Sequence, residues 1–356
     1  MNLRHSSLAV LVAVLWGVNF VAIDMGLHAN GTEVPPLLFV AMRFVLVVFP
    51  WIFFIRKPDV GWRAILGVGL FMSAGQFGLL YLAMGLGMPA GLASLVLQAQ
   101  VLLTVLLAAG LLGERPKRAQ LAGVVLGVAG LAVVGVGRSL VAPVLPLIIV
   151  LAAALSWAAG NIVARQAKAT SGLGLVVWSG AVVPLPLAAL SLLVDGPDAV
   201  GGVLADLQPV TVVSAVYTAV FGSLVGYGIW NRLLGLYPSS AVVPFTLLVP
   251  VVGMTTAWLA LSEVPSPAEI GGGILLLGGV ATAVFGSRGP VGLGATAGQR
   301  RWYAQRRDAA FAGDAGGGFA AGLGVDLPAG LAEEAGGTRG LADGARVAPD
   351  REPGRP

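Results

Sequence analysis

Trp16 and Asn19 stand three residues apart inside one apolar stretch, LAVLVAVLWGVNFVAID, and Trp157 and Asn161 stand four apart inside another, SWAAGNI. Residues three or four apart share a helix face, so each pair would present an indole beside an amide. An amide offers two donors and an acceptor. That suits the ammonium and carboxylate of a zwitterion, and equally the backbone of a neighbouring helix. The indole can wall a polar cavity, stack on a cation or face lipid. Gln76, Gln98 and Gln100 add amides to further apolar stretches, and Tyr227 and Thr246 complete the candidate lining. On one continuous helix Gln98 and Gln100 point roughly apart, so both cannot closely face one ligand. Arg43 lies about seven residues inside its stretch, roughly 10 Å deep at 1.5 Å per residue. Asp24 lies near the same end of the preceding stretch. An Asp24–Arg43 pair would lower the cost of both charges and could gate an external mouth. The alternatives are Arg43 attracting a substrate carboxylate, or snorkelling outward.

The same inventory excludes several chemistries. The chain has no Cys and two His, His5 and His28, which removes thiol nucleophiles, Cys sites and most His-based metal sites. It lacks the GxxxxGK[ST] loop of nucleotide hydrolysis and the HExxH zinc pattern. Neither a Ser–His arrangement nor an Asp pair of the intramembrane proteases can be assembled. No catalytic residue, metal or cofactor is expected; the chain does not read as an enzyme. A proton is a candidate coupling ion, but no carboxylate lies at mid-depth, and Asp24 is the nearest one. Glu114 and Glu263 each sit beside Pro at the end of an apolar stretch, where they read as boundaries with the membrane interface.

What must position these side chains is a set of membrane helices. Of 356 residues, 57% are hydrophobic and 11% charged, where a soluble domain has roughly a quarter charged; mean hydropathy is +0.89. Apolar runs of about 20 residues can cross ~30 Å of hydrocarbon. Ten spans are predicted, near 7–26, 36–55, 63–84, 90–112, 120–137, 144–164, 173–194, 210–231, 240–262 and 268–286. The first is too long for a cleaved signal core and is read as retained. Arg4, Arg56, Lys57, Arg63, Arg115, Lys117, Arg118, Arg165, Lys168, Arg232 and Arg288 fall on one side; only Arg138 falls on the other. Basic short loops favour the cytoplasm, so both termini are expected inside. The pI near 9.8 reflects this orientation, and no nucleic-acid partner is expected.

The halves repeat. At an offset of 149 residues Pro89 meets Pro238, Glu114 meets Glu263, Pro116 meets Pro265, Gly123 meets Gly272 and Gly130 meets Gly279. Units of five spans must be inverted relative to one another, an arrangement of secondary transporters that bind cargo near the midplane. The expected organisation is a first unit over 1–138, a second over 139–286 and a disordered Gly/Ala/Arg-rich cytoplasmic tail over 287–356. Gly123-x-x-x-Gly127, Gly222-x-x-x-Gly226 and the Gly271–Gly273 run suit close helix approach, either within the chain or in a homodimer through spans five and ten. Pro184, Pro186, Pro244 and Pro250 each remove a backbone donor within a span; Pro244 and Pro250 are the hinge candidates, Pro250 the better one.

The blocks LWGVNFVAI, PPLLFVAMRF, MPAGLASLVLQAQVLLTVLLAAGLLGERP, SWAAGNI and VGYGIWNRLLGLYPSSAVVPFTLLVPVVG, in this order over residues 7–286, resemble the drug/metabolite transporter superfamily, EamA type. Within it they are most similar to the bacterial exporters of O-acetylserine and cysteine. The resemblance implies ten helices around a central cavity in the bacterial inner membrane. It also implies secondary export of small amino-acid metabolites by alternating access. One departure stands out: this family usually has Lys where Asp24 stands. Export of other metabolites or drugs on the same scaffold, and a non-transporting receptor or scaffold, are the alternatives.

Overall fold

The computed structural model describes residues 1–286 apart from 30, 140–142, 168, 170 and 238; the expected tail, 287–356, lies outside the described residues. Among the described residues ten helices are long and apolar enough to cross a bilayer: Leu3–Leu27, Pro36–Phe53, Trp62–Gly85, Ala90–Leu112, Arg118–Ser139, Leu145–Ala167, Gly172–Val194, Pro209–Leu236, Val243–Leu261 and Pro267–Phe285. We refer to them as spans one to ten. Pro36, Pro209 and Pro267 open their helices, where the missing N–H has no helical partner in any case. Ser266 and Glu269 close span ten's start with a reciprocal capping box. A short helix, Pro197–Ala205, joins spans seven and eight and is held by buried Val200 and Val203.

Several spans depart from a continuous α-helix, and the departures recur at the 149-residue offset. Span three widens into a π-helical turn over Gly69–Gly75, and span eight does so over Thr218–Val225. Span four is two α-helical pieces, Ala90–Val96 and Ala99–Leu112. Between them the chain tightens, with Gln98 N–H bonding to the Leu95 carbonyl and Val101 N–H to that of Gln98. Span nine tightens likewise into a 3₁₀ turn over Val243–Leu247 before resuming as Leu248–Leu261. Pro244 lies in that turn and Pro250 in the first turn of the helix that follows.

Spans five and ten cross backbone on backbone. A Cβ on Gly123 would strike the Gly279 carbonyl, and one on Gly279 the Gly123 carbonyl; Gly130 and Gly272 face each other in the same way. Only hydrogen fits at such an approach. The Gly222 and Gly226 pair instead receives span one, since their missing side chains would collide with Asn19 and Trp16. These glycines are spent inside the chain. A second copy would have to meet other faces of spans five and ten.

Alternate spans run in opposite directions. One end of the bundle, here the near end, carries residues 1–2, 113–117 and the start of span nine; the far end carries residues 28–35, 86–89 and 262–266.

Candidate functional site

Seven spans enclose a cavity of about 550 Å³. All eight side chains singled out in the sequence as lining candidates open onto it: Trp16, Asn19, Gln76, Gln98, Trp157, Asn161, Tyr227 and Thr246. Its deepest lining lies at mid-span, at Asn19, Gln76 and Leu97. From there it reaches toward the near end along Val105, Ala164 and Leu234. Spans five, seven and ten contribute nothing to it.

At the deep end stands Arg43, 1% exposed. Its Nη1 donates to the Tyr81 hydroxyl at 2.9 Å and its Nη2 to the Ser223 hydroxyl at 3.0 Å. The guanidinium lies 4.0 Å from the centre of the Phe77 ring, and its Nε has no partner. The expected pair with Asp24 does not form. Span two turns Arg43 toward spans three and eight, where hydroxyls and an aromatic face hold it. The Asp24 carboxylate instead lies 3.3 Å from Nδ1 of His28, one helical turn on. Burial likewise overturns the snorkelling alternative.

Span eight's π turn builds the wall opposite. The Gly226 N–H reaches back five residues to the Phe221 carbonyl rather than four to that of Gly222. The Gly222 carbonyl accepts a 3.0 Å bond from Trp16 Nε1, fixing an indole whose ring lies 5.2 Å from both Tyr227 and Trp230. Asn19, one turn from Trp16, is 7% exposed and its Oδ1 has no partner.

Gln98 and Gln100 flank the break in span four and bond toward different neighbours, spans nine and six. Because the helix is interrupted at residues 97–98, both amides line the same cavity. Gln98 Nε2 donates to the Thr246 carbonyl at 3.1 Å. That carbonyl lacks its α-helical donor, since four residues on stands Pro250 with no N–H; its backbone contact is with the Leu248 N–H, which leaves room for the amide. Gln100 Oε1 accepts from Asn161 Nδ2 at 3.0 Å, and Thr104 Oγ1 lies 3.2 Å from the same donor. Asn161 is thus tied between spans six and four, while Asn19 is not tied. Phe77, Thr104, Trp230 and Asn231 also line the cavity and were not among the sequence candidates. Asn231, a polar residue in the GIWNRLLG run, carried a readable signal; Phe77 and Trp230 look like any packed aromatic.

The two glutamates flanking the apolar stretches behave differently. Glu263 accepts the Ala90 N–H at 2.8 Å through Oε1 and the Gly91 N–H at 2.9 Å through Oε2. It therefore caps span four's first turn and ties the far ends of spans four and nine together. Burial pushes its carboxyl above the usual glutamate range, against the opposing pull of those two N–H bonds; Asp24 and Glu269 add to the rise. Glu114 points to the near end, where Arg165 holds it through two contacts of 2.6 and 3.2 Å. Beside it a small pocket of about 120 Å³ is lined by residues that include Val105, Ala108 and Glu114. Among the described residues no Asp or Glu lines the large cavity, and no cluster of His, Asp or Glu could hold a metal ion.

The sequence matches the EamA-like transporter family twice, over residues 4–136 and 144–285. It is 42% identical over 295 residues to a "Probable amino-acid metabolite efflux pump" of Salmonella typhimurium, covering 81% of this chain and 97% of the relative. The Escherichia coli K12 protein of the same name aligns with the same identity and coverage. A "Probable terminal-alkyne amino-acid exporter" of Streptantibioticus cattleyicolor is 30% identical over 282 residues, 76% of this chain and 90% of that relative.

Proposed function

The chain belongs to the EamA-like transporter family, as a multi-pass protein of the bacterial inner membrane, and on that premise we propose that it exports small amino-acid metabolites, with O-acetylserine and cysteine as cargo. One observation carries this reading: a cavity lined by amides and aromatic rings at mid-bundle, reaching toward one end only. The basic loops orient that end toward the cytoplasm, where such metabolites are made. A cationic drug would meet a buried guanidinium there and no carboxylate.

Export proceeds by alternating access between two inverted five-span units, 1–138 and 139–286. The image-paired glycine crossings of spans five and ten support this organisation, as do the π turns at matching positions. At the far end, Glu263 seats span four's first turn against Met254 and Ala257 of span nine. The image of that seat is Val105, Ala108 and Glu114 on span four; the image of the seated turn is the backbone at 239 and 240. In this structure the image seat lines a pocket, and Arg165 occupies Glu114. The cycle therefore exchanges one glutamate cap for the other. Glu263 releases residues 90 and 91 while Glu114 leaves Arg165 to cap residues 239 and 240.

The test is efflux from cells loaded with labelled O-acetylserine or cysteine, with and without the chain. Faster efflux with the chain is expected. Equal efflux for both compounds would overturn the cargo assignment.

A further inference from the structure

Three polar groups converge on the deep end of the cavity with bonding capacity unspent. Arg43 Nε has no partner, and among the described residues no carboxylate pairs with its charge. Asn19 Oδ1, also buried, accepts nothing. Gln76, 2% exposed, lines the cavity; its backbone N–H is spent on the π turn, while its side-chain amide bonds to no other described residue. A buried cation without a counter-charge, and a buried carbonyl without a donor, are each costly. Evidence that Asn19 and Arg43 share one spot comes from Gly222. A Cβ there would collide with Asn19 Oδ1 and come 3.6 Å from Arg43 Nη2.

We propose that this deep end is a zwitterion site, in which Arg43 seats the carboxylate of an α-amino acid and Asn19 accepts its ammonium. The assignment rests on the export reading and adds the substrate's charge pattern. The Nε edge of the guanidinium supplies a charge-assisted fork for a carboxylate, and Gln76, which lines the same cavity, offers amide donors. The ammonium finds Asn19 Oδ1 and, one turn away, the Trp16 indole, whose face attracts cations. Phe77 backs the guanidinium and keeps it pointed at the cargo. The cargo's side chain then runs toward the near end, along Gln100 and Thr104.

The test uses the full-length chain in lipid nanodiscs and reads ligand-induced thermal stabilisation. The probes are O-acetyl-L-serine, cysteine, their methyl esters, which lack the carboxylate, and their N-acetyl forms, which lack the ammonium. The zwitterions should bind at least about tenfold more tightly than either derivative, the discrimination a hydrogen bond to a charged group provides. Arg43→Gln should erase the preference over the methyl esters, and Asn19→Leu the preference over the N-acetyl forms. Methyl esters binding wild-type protein as well as the zwitterions do would overturn the site without any variant having to fold. Efflux of O-acetylserine or cysteine alongside that result would leave the export reading intact. Absence of both efflux and zwitterion binding would remove both.

Discussion

Asn161 donates to Gln100 and Thr104 across the boundary between spans six and four, so Asn161→Ala should destabilise the protein. Interhelical bonds of this kind are worth about 0.6 kcal/mol each on average in membranes, so a loss of roughly 1 kcal/mol is expected, seen as a drop of a few degrees in melting temperature. Asn19→Ala removes an oxygen that bonds nothing and should leave the melting temperature within about one degree while weakening cargo binding. Equal thermal losses in the two variants would show that Asn19 is also a tie between helices. Along the chain the two asparagines read alike, each an amide beside a Trp in an apolar stretch. What separates them is supplied by other spans, in the break that turns Gln100 inward and the π turn that brings Gly222 close. Arg43 shows the same limit. Its depth and rarity were legible, but its hydroxyl partners come from residues 38 and 180 positions away along the chain.

At the scale of elements, the number and ends of the spans were readable because hydropathy and membrane thickness set them directly. The interruption of span four was not, since AGLASLVLQAQVLL contains no Pro and its only Gly lies in the first turn. Span nine announces its break through Pro244 and Pro250. Pro250→Ala should return an N–H to the Thr246 carbonyl, extend the helix back through residue 246 and displace Gln98 from its acceptor. The variant should melt at the same temperature or a few degrees higher, because a helical bond is regained, while efflux falls severalfold. A variant with unchanged efflux would strip the break of any part in transport.

At the scale of the whole molecule, Glu263 ties the far ends of spans four and nine together, and in the proposed cycle this keeps the far end shut. Its carboxyl titrates above the ordinary range because it is half-buried beside Asp24 and Glu269. Closure of the far end binds a proton more readily than its opening, so acid favours closure and rising pH weakens it through the raised value. The chain's lack of Cys permits a direct reading. A single cysteine at Ala257, buried beneath span four, should label slowly in acid and faster as pH rises, once corrected for the thiol's own ionisation. That residual slope should vanish in Glu263→Gln; its persistence would assign the pH response to another group. Asp24→Lys removes a charge that raises Glu263 and adds one that favours its carboxylate, so it should strengthen closure and lower Ala257 labelling at neutral pH. Finally, a vestibule of about 550 Å³ far exceeds one small amino acid, and at ~30 Å³ per molecule it holds on the order of twenty waters. Sealing the near end must expel most of them, so osmotic pressure in the compartment it faces favours sealing and opposes reopening. A sugar too large to enter, added on that side, should draw the water out, drive the near end shut and expose Ala257.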